Sequence, residues 1–326
     1  MKAKTNILII DDLHPVFFEK INNEYFNVNY VPFAKVENIP ELLNNCEVLI
    51  LRSKTNVDAK LCNDANKLKL VARAGSGLDN LDLEWLQSKG IKVINTPEAN
   101  RTSVAEQASG MLLALMANIV KGNIEVKSKV WDREGNRGEE LSGKTLGIIG
   151  FGNTGSEFAR VISGFGVKIL AYDKYKSGFS NDIVQETEIE EIFFRADILS
   201  LHIPLTSETR KLVNSEFINK FKNPFRLMNT SRGEIVNTHD VIDALETGKI
   251  KGFATDVLEN EKIGSFTKTQ EDDFIKLCNM SNVIITPHVA GWTKESYRKI
   301  SVVLAEKINE FFEILTEKSI KRKIKS

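Results

Sequence analysis

A chain of 326 residues exceeds one ordinary core and implies two domains of common size. Its 42% hydrophobic and 27% charged content is that of a folded globular protein. Lys+Arg and Asp+Glu both number 44, which excludes a global field for nucleic acid or an acidic membrane. The opening "MKAKTNILIIDD" lacks the apolar stretch and cleavage site of a signal peptide. The longest apolar segment, 108–120, is too short to span a bilayer, so a cytoplasmic protein is expected. Cys46, Cys62 and Cys278 form no CxxC pair or Cys/His cluster, so neither disulfides nor a metal site is expected.

Short β-like runs come first: "NILIID", "VNYV", "EVLILR", "LKLVARA" and "KVINT", all before residue 100. One long helix pattern, about 103–121, follows, and then a Gly- and charge-rich loop at 132–143 that resembles a boundary or a subunit-contacting arm. Six more strand runs lie after residue 140: "TLGIIG", "KILAYD", "ILSLHIP", "FRLMNTS", "GFATDV" and "NVIITP". Amphipathic stretches such as 82–90 and 239–249 separate them, and alternation of this kind predicts α/β architecture with parallel, doubly wound sheets. A last helix pattern, roughly 294–315, is placed to return to the first domain, and the basic tail 318–326 reads as its solvated end. The expected layout is a flavodoxin-like substrate domain, 1–99 plus 293–326, with a Rossmann-type dinucleotide domain, 100–292, inserted in it.

The strongest local signal is 145–173. Gly150, Gly152 and Gly155 form G-x-G-x-x-G, with Asn153 and Thr154 inside it, directly after a strand and at a helix start. The first glycine permits the turn and the second a close approach of pyrophosphate. The third permits tight helix–strand packing, while helix amides face the anion. Asp173 ends the next strand, 23 residues beyond Gly150, where an acid meets the adenosine ribose hydroxyls. Such an acid repels a 2′-phosphate and favours NAD over NADP, although Lys174 and Lys176 stand close by.

Oxidation of a hydroxy acid needs a cation for the carboxylate or carbonyl and a group that exchanges the hydroxyl proton. Imidazole suits the second task because it ordinarily titrates near neutral pH. Arg232 stands just past one strand, Asp256 at the end of the next with Glu259 and Glu261 beyond it, and His288 after the strand that follows. In doubly wound sheets ligands bind outside the carboxyl ends of strands, so one edge receives arginine, acid and histidine.

The chain resembles the D-isomer-specific 2-hydroxyacid dehydrogenases, most of all the D-3-phosphoglycerate-acting members. The resemblance runs through "LRSKT", "RAGSGLDNLD", "NTPEANRTSVAE", "LGIIGFGNTG", "LHIPLT", "NTSRG", "ATDVLENE" and "TPHVAG". It implies that Arg232 holds the substrate's carboxylate and keto oxygen, that Glu261 pairs with the histidine, and that His288 is the acid–base. Asp256 is implied to meet the nicotinamide carboxamide. Thr230, Ser231 and Pro204 are implied to line the cofactor site, with Thr209 and Gly291 in the same set and His202 on its adenosine side. Three positions depart from the family pattern: Lys262 replaces the usual proline after Glu261, Asn237 a usual Asp, and Thr154 an aliphatic residue. Glu259 is the fallback partner for the histidine, and Asn237 is expected to cap the next helix.

For the substrate, the Gly75-Ser76-Gly77 turn can offer backbone amides to a carboxylate. Arg52, Ser53 and Lys54 follow another strand, and if extended they turn both cations to one anion. Lys54 resembles a phosphate-meeting position, and Asn100 and Arg101 open the long helix at the expected hinge. The expected activity is NAD-dependent interconversion of D-3-phosphoglycerate and 3-phosphohydroxypyruvate. Its rivals are a glyoxylate, hydroxypyruvate or other 2-keto acid reductase and, from another class, an NAD-sensing binding protein without essential turnover. Family resemblance also implies a homodimer through the long helix and the 132–143 arm. No appended regulatory domain is expected in this short form.

Overall fold

The structure is a computed structural model that describes residues 4–324, and side chains within the last helix through residue 313. The side chains of the basic tail lie outside the described residues. The chain divides into two compact units, Met1–Asn100 with Thr293–Ser326, and Arg101–Trp292.

The first unit holds five parallel strands: β1 (Thr5–Ile9), β2 (Phe26–Tyr30), β3 (Val48–Leu51), β4 (Leu70–Arg73) and β5 (Lys92–Asn95). Their order, β2-β1-β3-β4-β5, is the flavodoxin-like arrangement. All four residues of β3 are buried, as a strand covered on both faces requires. Side chains alternate between faces: Ile7 and Ile9 pack with Phe17 and the last helix, Leu8 and Ile10 with Leu43 and Leu86. The last helix, Lys294–Ile324, sets Ile300, Leu304 and Ile308 at four-residue spacing on this core. Each fully buried aliphatic side chain contributes about 1.5–3 kcal/mol.

The second unit holds seven parallel strands: β6 (Thr145–Ile149), β7 (Lys168–Tyr172), β8 (Val184–Glu186), β9 (Ile198–Leu201), β10 (Phe225–Asn229), β11 (Ile250–Thr255) and β12 (Val283–Ile285). The order β12-β11-β10-β9-β6-β7-β8 is the Rossmann arrangement with one further strand. Ile148 packs on one face with Phe158 and Ile162, and Ile149 on the other with Phe217 and Phe221. The sequence pattern missed β8, whose three residues are too short to show an alternation.

The long helix pattern is two helices, Arg101–Met116 and Ile119–Lys127, bent by 62°. Asn118 adopts the left-handed conformation (φ 54°), which ends the hydrogen-bond ladder and which Asn tolerates better than most residues. No single helix among the described residues is long and apolar enough to cross a membrane. The following loop folds back: Lys121 Nζ donates to the Gly135 carbonyl (2.9 Å), and the Glu139 amide to the Met116 carbonyl (2.9 Å). The Glu139 carboxylate accepts from Arg226 at 2.8 Å and pairs with Lys144 at 3.1 Å, contacts that hold its pKa down to about 2.

Candidate active site

The glycine turn after β6 is shaped by what it cannot contain. A Cβ on Gly150 (φ 92°) would overlap the His202 carbonyl, and one on Gly155 the Gly150 carbonyl, whereas one on Gly152 would meet nothing within 4 Å. Two glycines therefore close the turn, and the third leaves open space at the start of helix Asn153–Ile162. No side chain caps that helix at Gly152, so the amides of Asn153, Thr154 and Gly155 are presented to an anion. This cradle fits a dinucleotide pyrophosphate. Thr154 is half-buried, and Phe158, Ala159 and Ile162 still pack fully into the core.

Asp173 stands at the end of β7. Its Oδ2 accepts from the Phe151 amide (2.8 Å), and its Oδ1 from the amides of Tyr175 (2.9 Å) and Lys176 (3.1 Å). The carboxylate is thereby aimed by backbone beside the glycine turn. His202 lies under the turn, 8% exposed, with Nε2 2.9 Å from Ser200 Oγ. Burial pushes its imidazole down to about 4, so it is neutral at physiological pH. Beyond it Thr209 Oγ1 donates to the Pro204 carbonyl (2.7 Å) and accepts from the Thr206 amide (2.8 Å), which sets the loop after β9. Ser231 Oγ bridges to that loop, donating to Leu201 O (2.8 Å) and accepting from the Ile203 amide (3.2 Å). Thr230 Oγ1 is buried with no protein partner, a polar atom left for a ligand.

Along the adjoining strand ends lie the residues suited to proton chemistry. After β10, the Asn229 side chain donates to the Arg232 carbonyl (2.9 Å) and accepts from the Ser231 amide (3.0 Å), closing the turn that presents Arg232. Gly233 then seats that turn on the Leu258 carbonyl with no room for a Cβ. After β12, His288 has φ 55°. Its Nδ1 is 3.0 and 2.9 Å from the two Glu261 carboxylate oxygens. With Lys262 after this acid, the turn is held by Asn260, whose side chain accepts from the Lys262 amide at 3.0 Å.

Glu259, the fallback partner, is engaged elsewhere. Its Oε1 accepts from the Thr238 amide (2.7 Å) at the start of helix Thr238–Glu246. This corrects the expected cap: Asn237 makes no side-chain cap bond, and it is the Glu259 carboxylate that engages the first turn of the helix.

Asp256, expected to meet the nicotinamide carboxamide, is 1% exposed at the end of β11, and its carboxylate is engaged by protein donors. Its Oδ1 accepts from Thr286 Oγ1 (2.5 Å) and the Val289 amide (3.0 Å), and its Oδ2 from the Ala290 amide (2.8 Å). The His288 amide donates to the Asp256 carbonyl at 2.8 Å. These bonds offset the roughly 1–2 kcal/mol cost of a left-handed non-glycine residue. Ser103 Oγ ties the Ala290 carbonyl to helix Arg101–Met116 at 2.6 Å, next to Gly291. A buried acid one strand away from the histidine was the available signal for this clasp.

In the first unit the segment after β3 bends instead of extending. The Asn80 side chain donates to the carbonyls of Arg52 (3.0 Å) and Thr55 (2.7 Å), so strand alternation does not govern Arg52 and Lys54. Arg52 is half-buried, its amide donating to Asp11 Oδ2 (2.6 Å) and its guanidinium 5.7 Å from the centre of the Tyr297 ring. Tyr297 and Tyr30 both donate to Asp12, at 2.5 and 3.1 Å. Ser53 and Lys54 are exposed. Ser76 Oγ donates to Asn100 Oδ1 (2.6 Å), and the Gly75 amide to Thr96 Oγ1 (3.0 Å), steadying the turn that includes Gly77. Arg101 is exposed at the first turn of its helix.

Rossmann topology, a pyrophosphate cradle and a carboxylate–imidazole pair at the strand ends define a dinucleotide-dependent dehydrogenase. The NAD-binding domain of the D-isomer specific 2-hydroxyacid dehydrogenases matches residues 109–290. The hydroxypyruvate reductase of Thermotoga maritima is 37% identical over 88% of this chain and 92% of its own length. The D-3-phosphoglycerate dehydrogenase of Bacillus subtilis is 38% identical over 82% of this chain, and that of Methanocaldococcus jannaschii 36% over 93%. This chain spans about half the length of those two, 50% and 57%. Among solved structures, the D-lactate dehydrogenase of Aquifex aeolicus complexed with NAD and lactic acid superposes with TM-score 0.81 at 27% identity. That match covers 96% of this chain and 97% of the other. The chain belongs to the D-isomer-specific 2-hydroxyacid dehydrogenases, and its cofactor is NAD.

Proposed function

We propose that the protein interconverts D-3-phosphoglycerate and 3-phosphohydroxypyruvate, with Arg232, Glu261 and His288 as its catalytic residues. The observation that carries the chemistry is the His288–Glu261 pair, 2.9–3.0 Å apart, at the strand-end edge that also bears Arg232. Because Glu261 engages Nδ1, His288 Nε2 is the ring atom that takes the substrate's hydroxyl proton as the C2–H bond breaks. Bound NAD supplies the hydride acceptor. Arg232 holds the carboxylate and the developing carbonyl oxygen, and in the reverse direction the imidazolium returns the proton to that oxygen. Asn153, Thr154, Gly155, Asp173, Pro204, Thr209, Thr230 and Ser231 serve the cofactor. Lys54 meets the phosphate, with Arg52, Ser53, Ser76, Gly77, Asn100 and Arg101 completing the substrate contacts.

A second reading, reduction of hydroxypyruvate, is favoured by the Thermotoga relative, whose length this chain nearly matches. A panel of 2-hydroxy and 2-keto acids with NAD(H) separates the two. A clear preference for the phosphorylated pair, lost in Lys54→Ala, is expected; equal rates with hydroxypyruvate would transfer the assignment to the reductase. NADH formation that survives unchanged in His288→Ala would overturn this mechanism, whereas a wild type that binds NADH but turns over no acid of the panel would be the binding protein without turnover.

The homodimer belongs to the same proposal. Ile119, Ile124, Val126, Val130 and Trp131 are exposed along helix Ile119–Lys127 and the start of the arm, with Trp131 at 79%. Association through this face would cover them, and a monomer by light scattering would contradict it.

A further inference from the structure

NADP differs from NAD by a phosphate on the adenosine 2′ oxygen, and dinucleotide domains that accept it place a cation near the end of the second strand. Lys174 stands at that place, one residue past Asp173. Its ammonium is nevertheless taken by another loop: Nζ lies 2.5 Å from Glu208 Oε2, in the segment after β9. Tyr175 OH donates to the same carboxylate oxygen at 3.0 Å. Lys176, two residues further on, donates to the Phe151 carbonyl at 3.2 Å and lies over the Phe151 and Phe179 rings. Both lysines that could offset Asp173 are thus turned to protein partners. Bonds from Lys174 and Tyr175 hold the Glu208 carboxyl below the ordinary carboxylate range, so it is ionised at neutral pH.

We propose that Glu208 is a cofactor-selectivity residue: by holding Lys174 across two loops, it withholds from a 2′-phosphate the cation that stands beside Asp173. Selection for NAD then has two parts. Asp173 repels the phosphate directly, and Glu208 prevents the adjacent lysine from cancelling that repulsion. The pair is half exposed, 55% and 56%, so its effect is modest and is largest at low salt.

The test is equilibrium binding of NADH and NADPH, read from nicotinamide fluorescence without substrate. It uses the wild type, Glu208→Gln, Lys174→Gln and the double variant at low ionic strength. Glu208→Gln should tighten NADPH by roughly twofold to fivefold and leave NADH unchanged. Lys174→Gln in that background should abolish the gain. The same four proteins carrying Asp173→Ser, where the standing repulsion is gone and NADPH titrates readily, should repeat the pattern. The proposal is overturned if Glu208→Gln leaves NADPH affinity unaltered in both backgrounds. It is overturned equally if the gain survives in the double variant, since the Glu208 charge would then act on the phosphate by itself.

Discussion

Two loops of the second unit hold their shapes by opposite means. After β6, the turn depends on missing side chains: Gly150 and Gly155 bring backbone into contact where a Cβ would collide. After β12, the turn depends on one side chain, the buried Asp256 carboxylate, which gathers three donors around a histidine in a left-handed conformation. The first arrangement presents amides and open space, which suits a large anion. The second fixes a single side chain, which suits a proton transfer. Damage to the two should therefore separate into cofactor binding and turnover.

The largest separation is expected at His288. His288→Ala should lower kcat/KM by about 10²–10⁴-fold while NADH still binds, measured by steady-state assay and fluorescence titration. Joint loss of both would show that the loops are not independent.

Under the glycine turn, His202 makes the cradle sensitive to acid. Its pKa is about 4 when folded, against about 6.5 for a free imidazole, so the unfolded chain binds the proton first as pH falls. Its contribution is present above pH ~6.5 and is lost toward pH ~4, a loss of up to about 3 kcal/mol. Urea unfolding at pH 7 and 4.5 should show this difference, and His202→Gln should flatten it. An unchanged slope would place the acid sensitivity elsewhere.

At the clasp, Asp256→Asn keeps the shape but sets an amide donor against loop donors, at a cost of about 1–3 kcal/mol. A kcat lowered by tenfold or more, with unaltered NADH affinity, is the expected signature of a positioning residue. The neighbouring acids supply the finest contrast. Glu261→Gln should reduce kcat by about tenfold with the melting temperature unmoved. Glu259→Gln should cost about 1 kcal/mol of stability through the helix start and leave kcat alone. Exchanged outcomes would return Glu259 to the role of histidine partner.

Much of this is legible in the order of residues alone. Near-continuous apolar runs alternating with amphipathic helices can bury both faces only in doubly wound sheets, so fold class follows from pattern. Glycine spacing reads directly as a pyrophosphate turn because backbone sterics are local. Arg232 and His288 were visible because strand ends in such sheets share one edge. Beyond these local features the pattern was silent. Two acids two residues apart, Glu259 and Glu261, are alike in spacing and charge, so that only the family resemblance favoured Glu261; in the fold one meets a helix start and the other a histidine. The bend at Asn118 and the hydrogen bonds that curl Arg52–Thr55 likewise depend on residues distant in sequence or on a rare backbone conformation. The layers, the cofactor turn and the kinds of residue at the strand ends follow from the order of residues along the chain. Which carboxylate meets which donor emerges only on folding, because hydrogen-bond partnership depends on angles and distances of a few tenths of an ångström that spacing along a chain does not encode.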